Sequence, residues 1–97
     1  MDKQTVLTKL KANARQIRER FSVKSLCVFG SIARGQAADN SDVDILVEFK
    51  CPATFDLFMD LKFYLEDLLG AGVDLVTTQA LRPQIRKAIE LELINVA

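Results

Sequence analysis

The sequence predicts a small α/β domain: a mixed β-sheet with helices packed on it, in the order α-β-α(short)-β-α-β-α. Three observations carry that prediction. Short apolar or alternating runs, VKSLCVF, SDVDILVEF and GVDLVT, are interleaved with longer segments of helical period. Turn-forming residues separate them. The 97 residues, 49% hydrophobic and 27% charged, can close one modest core, so residues 1–97 read as a single domain.

Residues 3–20 predict an amphipathic helix, because Leu7, Leu10, Ala14 and Ile17 recur at i, i+3, i+4 spacing and Phe21 continues the row. Residues 23–29 predict a first strand, apolar enough at its end to expect burial on both faces. Gly30-Ser31 interrupts it, and a short helical turn is expected over Ile32–Gly35. The stretch QAADNS is turn-rich, and SDVDILVEF alternates as a second strand. Residues 54–69 predict a helix with Thr54 as N-cap and Gly70 as its stop. A third strand is expected over 72–77. Pro83 suits the first turn of a last helix over about 82–93. The closing LINVA either frays or adds a short edge strand.

Composition excludes several function classes. Thirteen basic and thirteen acidic residues cancel, so bulk charge gives no case for nucleic-acid binding. Their distribution expects a basic N-terminal side and an acidic side over 56–74. The chain has no histidine, which removes His-based metal sites, His general bases and Cys-His pairs. Two cysteines make no disulfide framework; Cys27 reads as a packed thiol and Cys51 as a loop residue. No apolar run approaches a membrane span, and the charged N-terminus lacks a signal-peptide core, so a cytoplasmic protein is expected.

Asp42 and Asp44 lie one pleat apart on the second strand and point to the same face, opposite Val43, Ile45, Val47 and Phe49. Two like charges so placed repel unless a cation sits between them, and oxygen-only ligands suit Mg²⁺, with Mn²⁺ possible. Asp74 is again a charge inside a strand pattern. If the two strands are neighbours, three carboxylates converge and can hold two divalent ions about 4 Å apart, the arrangement used for in-line phosphoryl or nucleotidyl transfer. Gly30 then allows close backbone approach to a phosphate, Ser31 offers its N–H and hydroxyl, and Arg34, one turn on, adds a charge-assisted contact. Taken singly, Gly-Ser is a turn and ADNSD a polar loop. As one constraint, with each residue at roughly 5–7% abundance, the four-residue pattern arises by chance on the order of once in a thousand such chains.

These residues carry a resemblance. G-S-x10-D-x-D within VFGSIARGQAADNSDVDILVEF resembles the nucleotidyltransferase superfamily of DNA polymerase β, and the ARG triplet and VDLVT resemble its minimal nucleotidyltransferase branch. The resemblance spans nearly the whole chain. It implies that Gly30 and Ser31 bind the triphosphate of the donor, that Asp42 and Asp44 ligate both ions, and that Asp74 ligates the catalytic ion and helps deprotonate the acceptor hydroxyl. Arg34 is implied in phosphate or partner contact.

For biology, the resemblance implies a Mg²⁺-dependent transfer of AMP from ATP to a tyrosine of a cognate HEPN-domain RNase toxin, so that the protein acts as an antitoxin. The short chain leaves no acceptor-holding domain, which expects a partner to bring the acceptor. The alternatives are an antitoxin that works by occlusion alone and a nucleotidyltransferase for a small, antibiotic-type molecule. On the 54–69 helix, Leu57, Phe58, Leu61, Tyr64, Leu65, Leu68 and Leu69 form one broad apolar face, which makes Tyr64 an unsuitable target for self-modification. Phe55, Met59 and Phe63 form a second ridge. That ridge is either covered by a terminal helix or is an interface with the toxin or a second copy.

Overall fold

The N-terminal amphipathic segment folds as two helices rather than one: α1 over Lys3–Ala12 and α2 over Ala14–Phe21. The computed structural model describes residues 2–36 and 42–97. Asp2 caps α1 by accepting the Thr5 N–H at 2.8 Å. Asn13 makes the break. Its side-chain amide donates to the Lys9 carbonyl at 2.8 Å, offering that carbonyl a partner other than the next turn of helix. The apolar row survives the break, with Val6, Leu7, Leu10, Ile17 and Phe21 all buried.

Strand β1 covers Val23–Phe29, and a four-residue helix, α3, begins at Gly30 and ends at Ala33, two residues earlier than the expected turn. The turn-rich segment after Gln36 falls on residues 37–41, outside the described residues. Strand β2 runs over Val43–Phe49, so Asp42 immediately precedes it. Helix α4, Phe55–Leu69, matches expectation at both ends: Thr54 accepts the Leu57 N–H at 3.1 Å, and Gly70 closes the helix at φ +67°. Strand β3 is Val73–Thr77. The last helix is shorter than expected; α5 is Pro83–Ile89, followed by a 3-10 turn over Glu90–Glu92. The C-terminal residues do add an edge strand, β4, Ile94–Asn95.

The sheet order is β3-β2-β1-β4. Strands β1 and β2 are antiparallel, β4 joins β1 antiparallel, and β2 and β3 are parallel, connected by α4 as a crossover. The sheet is therefore mixed. Val43, Ile45 and Val47 from β2, Val73 and Leu75 from β3, and Leu26 and Val28 from β1 are buried on one face. Helix α2 packs on β1, α4 packs on β3, and α1 contacts both helices. Leu61, Leu65 and Leu69 of α4 are fully buried there, and truncating such a leucine to alanine costs about 2–5 kcal/mol.

The opposite sheet face is only partly covered, because β1 alternates instead of burying both faces. Cys27 and Phe29 are half-buried, and α5 has no buried side chain. Burial pushes the Cys27 thiol up, opposed in part by the Asn95 amide that donates to its sulfur. Tyr64 is half-buried, its ring 5.1 Å from that of Phe21. The second α4 ridge is not covered: Phe55 is 76% and Phe63 is 54% exposed, with Met59 half-buried between them. Among the described residues, no helix is long and apolar enough to cross a membrane.

Candidate active site

The partly covered sheet face carries the carboxylates. The parallel register of β2 on β3 sets Asp44 opposite Asp74, and the antiparallel register of β1 on β2 sets Phe29 opposite Asp44. The charge at position 74 thus meets the charge at position 44 because the two strands are neighbours. One pair earlier, the Val43 N–H donates to the Gly72 carbonyl at 2.9 Å, and Asp42 comes to lie against Gly72.

Two glycines shape this corner. Gly30 adopts φ +74°, and a Cβ there would run into Asp44 Oδ2 and approach its Cγ to 2.9 Å. The site therefore demands glycine twice over, for backbone conformation and for space. The carboxylate of Asp44 rests on the Cα of the Gly-Ser turn. Gly72 plays the same part for Asp42, since a Cβ would meet Asp42 Oδ1 and lie 3.2 Å from its Cγ. Gly72 escaped the sequence reading. Its only signal was a glycine two residues before Asp74, on the same face of the strand.

Electrostatics follow from this crowding. The Asp44 carboxyl is held above the usual carboxylate range, first by burial, then by the charges of Asp74 and Asp42 and a hydrogen bond with Asp74. Arg34 opposes the shift, which places a positive charge within reach of the cluster. Asp42 and Asp74 are both exposed. Asp44 and Asp74 are thus already paired, whereas Asp42 lies on Gly72. Among the described residues, no three acidic side chains form a closed metal cage. The donor set is nevertheless all oxygen and negatively charged, and its crowding is what a divalent cation relieves, so the residues fit such an ion.

The residues expected to face phosphate lie in and just after α3. Ser31 is half-buried in the first turn of α3, and its carbonyl accepts the Gln36 N–H at 2.8 Å. Arg34 is exposed, with Nη1 2.8 Å from Glu92 Oε2 and Nε donating to Gln36 Oε1 at 3.1 Å. Glu92 Oε1 also accepts the Gly30 N–H at 3.1 Å. Glu92 is the second residue that sequence reasoning missed. It lies 62 positions from Gly30, and nothing local in the sequence links them.

A Gly-Ser turn set on a strand end, with paired aspartates on the adjoining strands, is the arrangement expected of a nucleotidyltransferase. The sequence profile of the nucleotidyltransferase domain family matches residues 10–96, and the chain belongs to that family. Among its relatives, the protein adenylyltransferase MntA of Thermococcus cleftensis is 45% identical over 87 residues, covering 90% of this chain and 88% of the relative. A solved structure assigned as a minimal nucleotidyltransferase superposes with a TM-score of 0.84 at 37% identity, covering 97% of this chain and 95% of that one. The fold is also shared with the antitoxin in a complex of tri-AMPylated HEPN toxin and MNT antitoxin from Shewanella oneidensis. There the TM-score is 0.67 at 15% identity, covering 94% of this chain and 71% of the solved chain. Members of the family act on nucleoside triphosphates with divalent metal.

Proposed function

We propose that residues 1–97 act as one nucleotidyltransferase domain that transfers AMP from ATP to a tyrosine hydroxyl of a HEPN-type RNase toxin, and that the protein is the toxin's cytoplasmic antitoxin. The observation that carries the proposal is the Asp44–Asp74 pair seated against the Gly30-Ser31 turn. The 45% identity to an MntA adenylyltransferase supports the donor and the chemistry. The HEPN–MNT fold neighbours support the kind of partner.

Asp42, Asp44 and Asp74 would hold two Mg²⁺ ions. When bound, the metal supplies Lewis-acid neutralisation of the triphosphate and of the departing pyrophosphate. Gly30 and Ser31 bind the β- and γ-phosphates through backbone N–H groups and the serine hydroxyl, and Arg34 adds positive charge beside them. Asp74, exposed at the edge of the cluster, takes the proton from the acceptor hydroxyl. The acceptor oxygen bonds to the α-phosphorus as the bond to the bridging oxygen breaks, and pyrophosphate leaves on the Gly-Ser side. The exposed ridge of Phe55 and Phe63, rimmed by Asp56, Asp60 and Asp67, is where the partner would dock.

Co-expression with the cognate toxin tests the enzymatic reading. Wild type should restore growth, and the Asp42→Asn/Asp44→Asn double variant should not, although it still binds the toxin. Full growth rescue by the double variant would show protection without transfer and defeat the proposal.

A further inference from the structure

Glu92 bridges the Gly-Ser turn and Arg34. Its two carboxylate oxygens are divided between the Gly30 N–H, at 3.1 Å, and Arg34 Nη1, at 2.8 Å. These are a backbone amide of the Gly-Ser turn and the guanidinium of the arginine just after it. Gly30 and Arg34 are both residues that the nucleotidyltransferase reading sets against phosphate. A carboxylate bridging an amide and a guanidinium reproduces the charge and the acceptor geometry of a phosphate oxygen pair.

The topology makes this contact structural rather than incidental. Strand β4 pairs with β1 through Cys27 opposite Asn95 and Val28 opposite Ile94. Continuing that register past the end of β1 sets Glu92 opposite Gly30. The edge strand therefore delivers the carboxylate to the turn whenever the sheet is formed. Glu92 is about one-fifth exposed, so the contact is partly shielded from water. A triphosphate arriving at Gly30 and Arg34 would meet both a taken hydrogen bond and a like charge.

We propose that Glu92 is an affinity-setting residue of the nucleotide site. It occupies the phosphate donors in the free protein and must swing away for a nucleoside triphosphate to bind. The inference rests on the nucleotidyltransferase reading of the Gly30-Ser31 turn. Its consequence is that the binding-competent state is a minority of the free protein, which weakens apparent affinity in proportion. Since the side chain sits in a one-turn 3-10 segment with no buried residue, its release requires only a rotamer change.

Titration calorimetry with α,β-methylene-ATP and Mg²⁺, which cannot complete transfer, reads this directly. Inorganic tripolyphosphate serves as a second, phosphate-only probe. Glu92→Ala should bind both probes more tightly than wild type, by about tenfold or more. Glu92→Gln, which keeps the size and removes the charge, should change in the same direction. In an Arg34→Ala background the gain from Glu92→Ala should shrink, because half of the lock is already gone. Circular dichroism and melting temperature verify that each variant is folded. Equal or weaker binding by folded Glu92→Ala, beside a wild type that does bind, would show that Glu92 organises the turn rather than competing for it, and would overturn the inference alone. No binding by wild type or any variant at millimolar probe would overturn the site assignment and the inference with it.

Discussion

Asp44 is the residue on which the site's electrostatics converge. Folded, it holds its proton more tightly than an unfolded chain would, because burial and the charges of Asp74 and Asp42 disfavour its ionised form. The protonated carboxyl therefore favours the fold. That advantage is complete below the ordinary carboxylate value of about 4 and is lost as pH rises through the raised folded value. In metal-free protein, Asp44→Asn should raise the melting temperature at pH 7 by a few degrees. The difference from wild type should vanish as pH falls below the ordinary carboxylate range. A melting series against pH in chelator checks this. A variant less stable than wild type at pH 7, or an unchanged difference at acid pH, would contradict it. This part of the site was legible in the sequence because a charge on a strand pattern needs an explanation. Gly72 and Glu92 were not, since the first is defined by what a missing Cβ would strike and the second by a register between chain ends.

At the level of elements, α4 serves two functions with two faces. One face buries Leu61, Leu65 and Leu69 against the sheet, and the other presents Phe55 and Phe63 to solvent. Sequence periodicity separated these faces, and the Thr54 cap and Gly70 stop matched expectation because both are local physics: a side-chain oxygen for an orphan N–H, and a left-handed backbone for glycine. The N-terminal helix was harder to read. Its apolar row runs unbroken through Asn13, where the side-chain bond to the Lys9 carbonyl and a non-helical backbone divide it. Burial on β1 was overestimated for a related reason: an apolar run does not say that a second layer exists to cover it. The exposed ridge yields a prediction about binding. Phe55→Ser with Phe63→Ser should change folding stability by less than about 1 kcal/mol, since exposed positions tolerate substitution. The same pair should weaken the complex with the toxin by about tenfold or more, as loss of aromatic anchors does. Analytical ultracentrifugation of the mixed proteins measures the second effect. Unaltered association would move the interface elsewhere on the molecule.

As a whole molecule, the protein places its candidate site on one sheet face and its core on the other. The helices α1, α2 and α4 make the core, leaving the opposite face for Asp44, Asp74 and the Gly30-Ser31 turn. The parallel pairing of β2 and β3 sets the two aspartates side by side, and the α4 crossover that permits this pairing also displays the outer ridge. The proposed catalytic face and the proposed docking surface are thus products of one topology. The central claim is transfer of AMP to a partner protein, and the intact mass of that partner tests it most directly. Incubated with the wild-type chain, ATP and Mg²⁺, the cognate toxin should gain mass in whole AMP increments, abolished by mutation of its acceptor tyrosine and absent in chelator. A toxin neutralised in the same mixture with no change in mass would contradict the account.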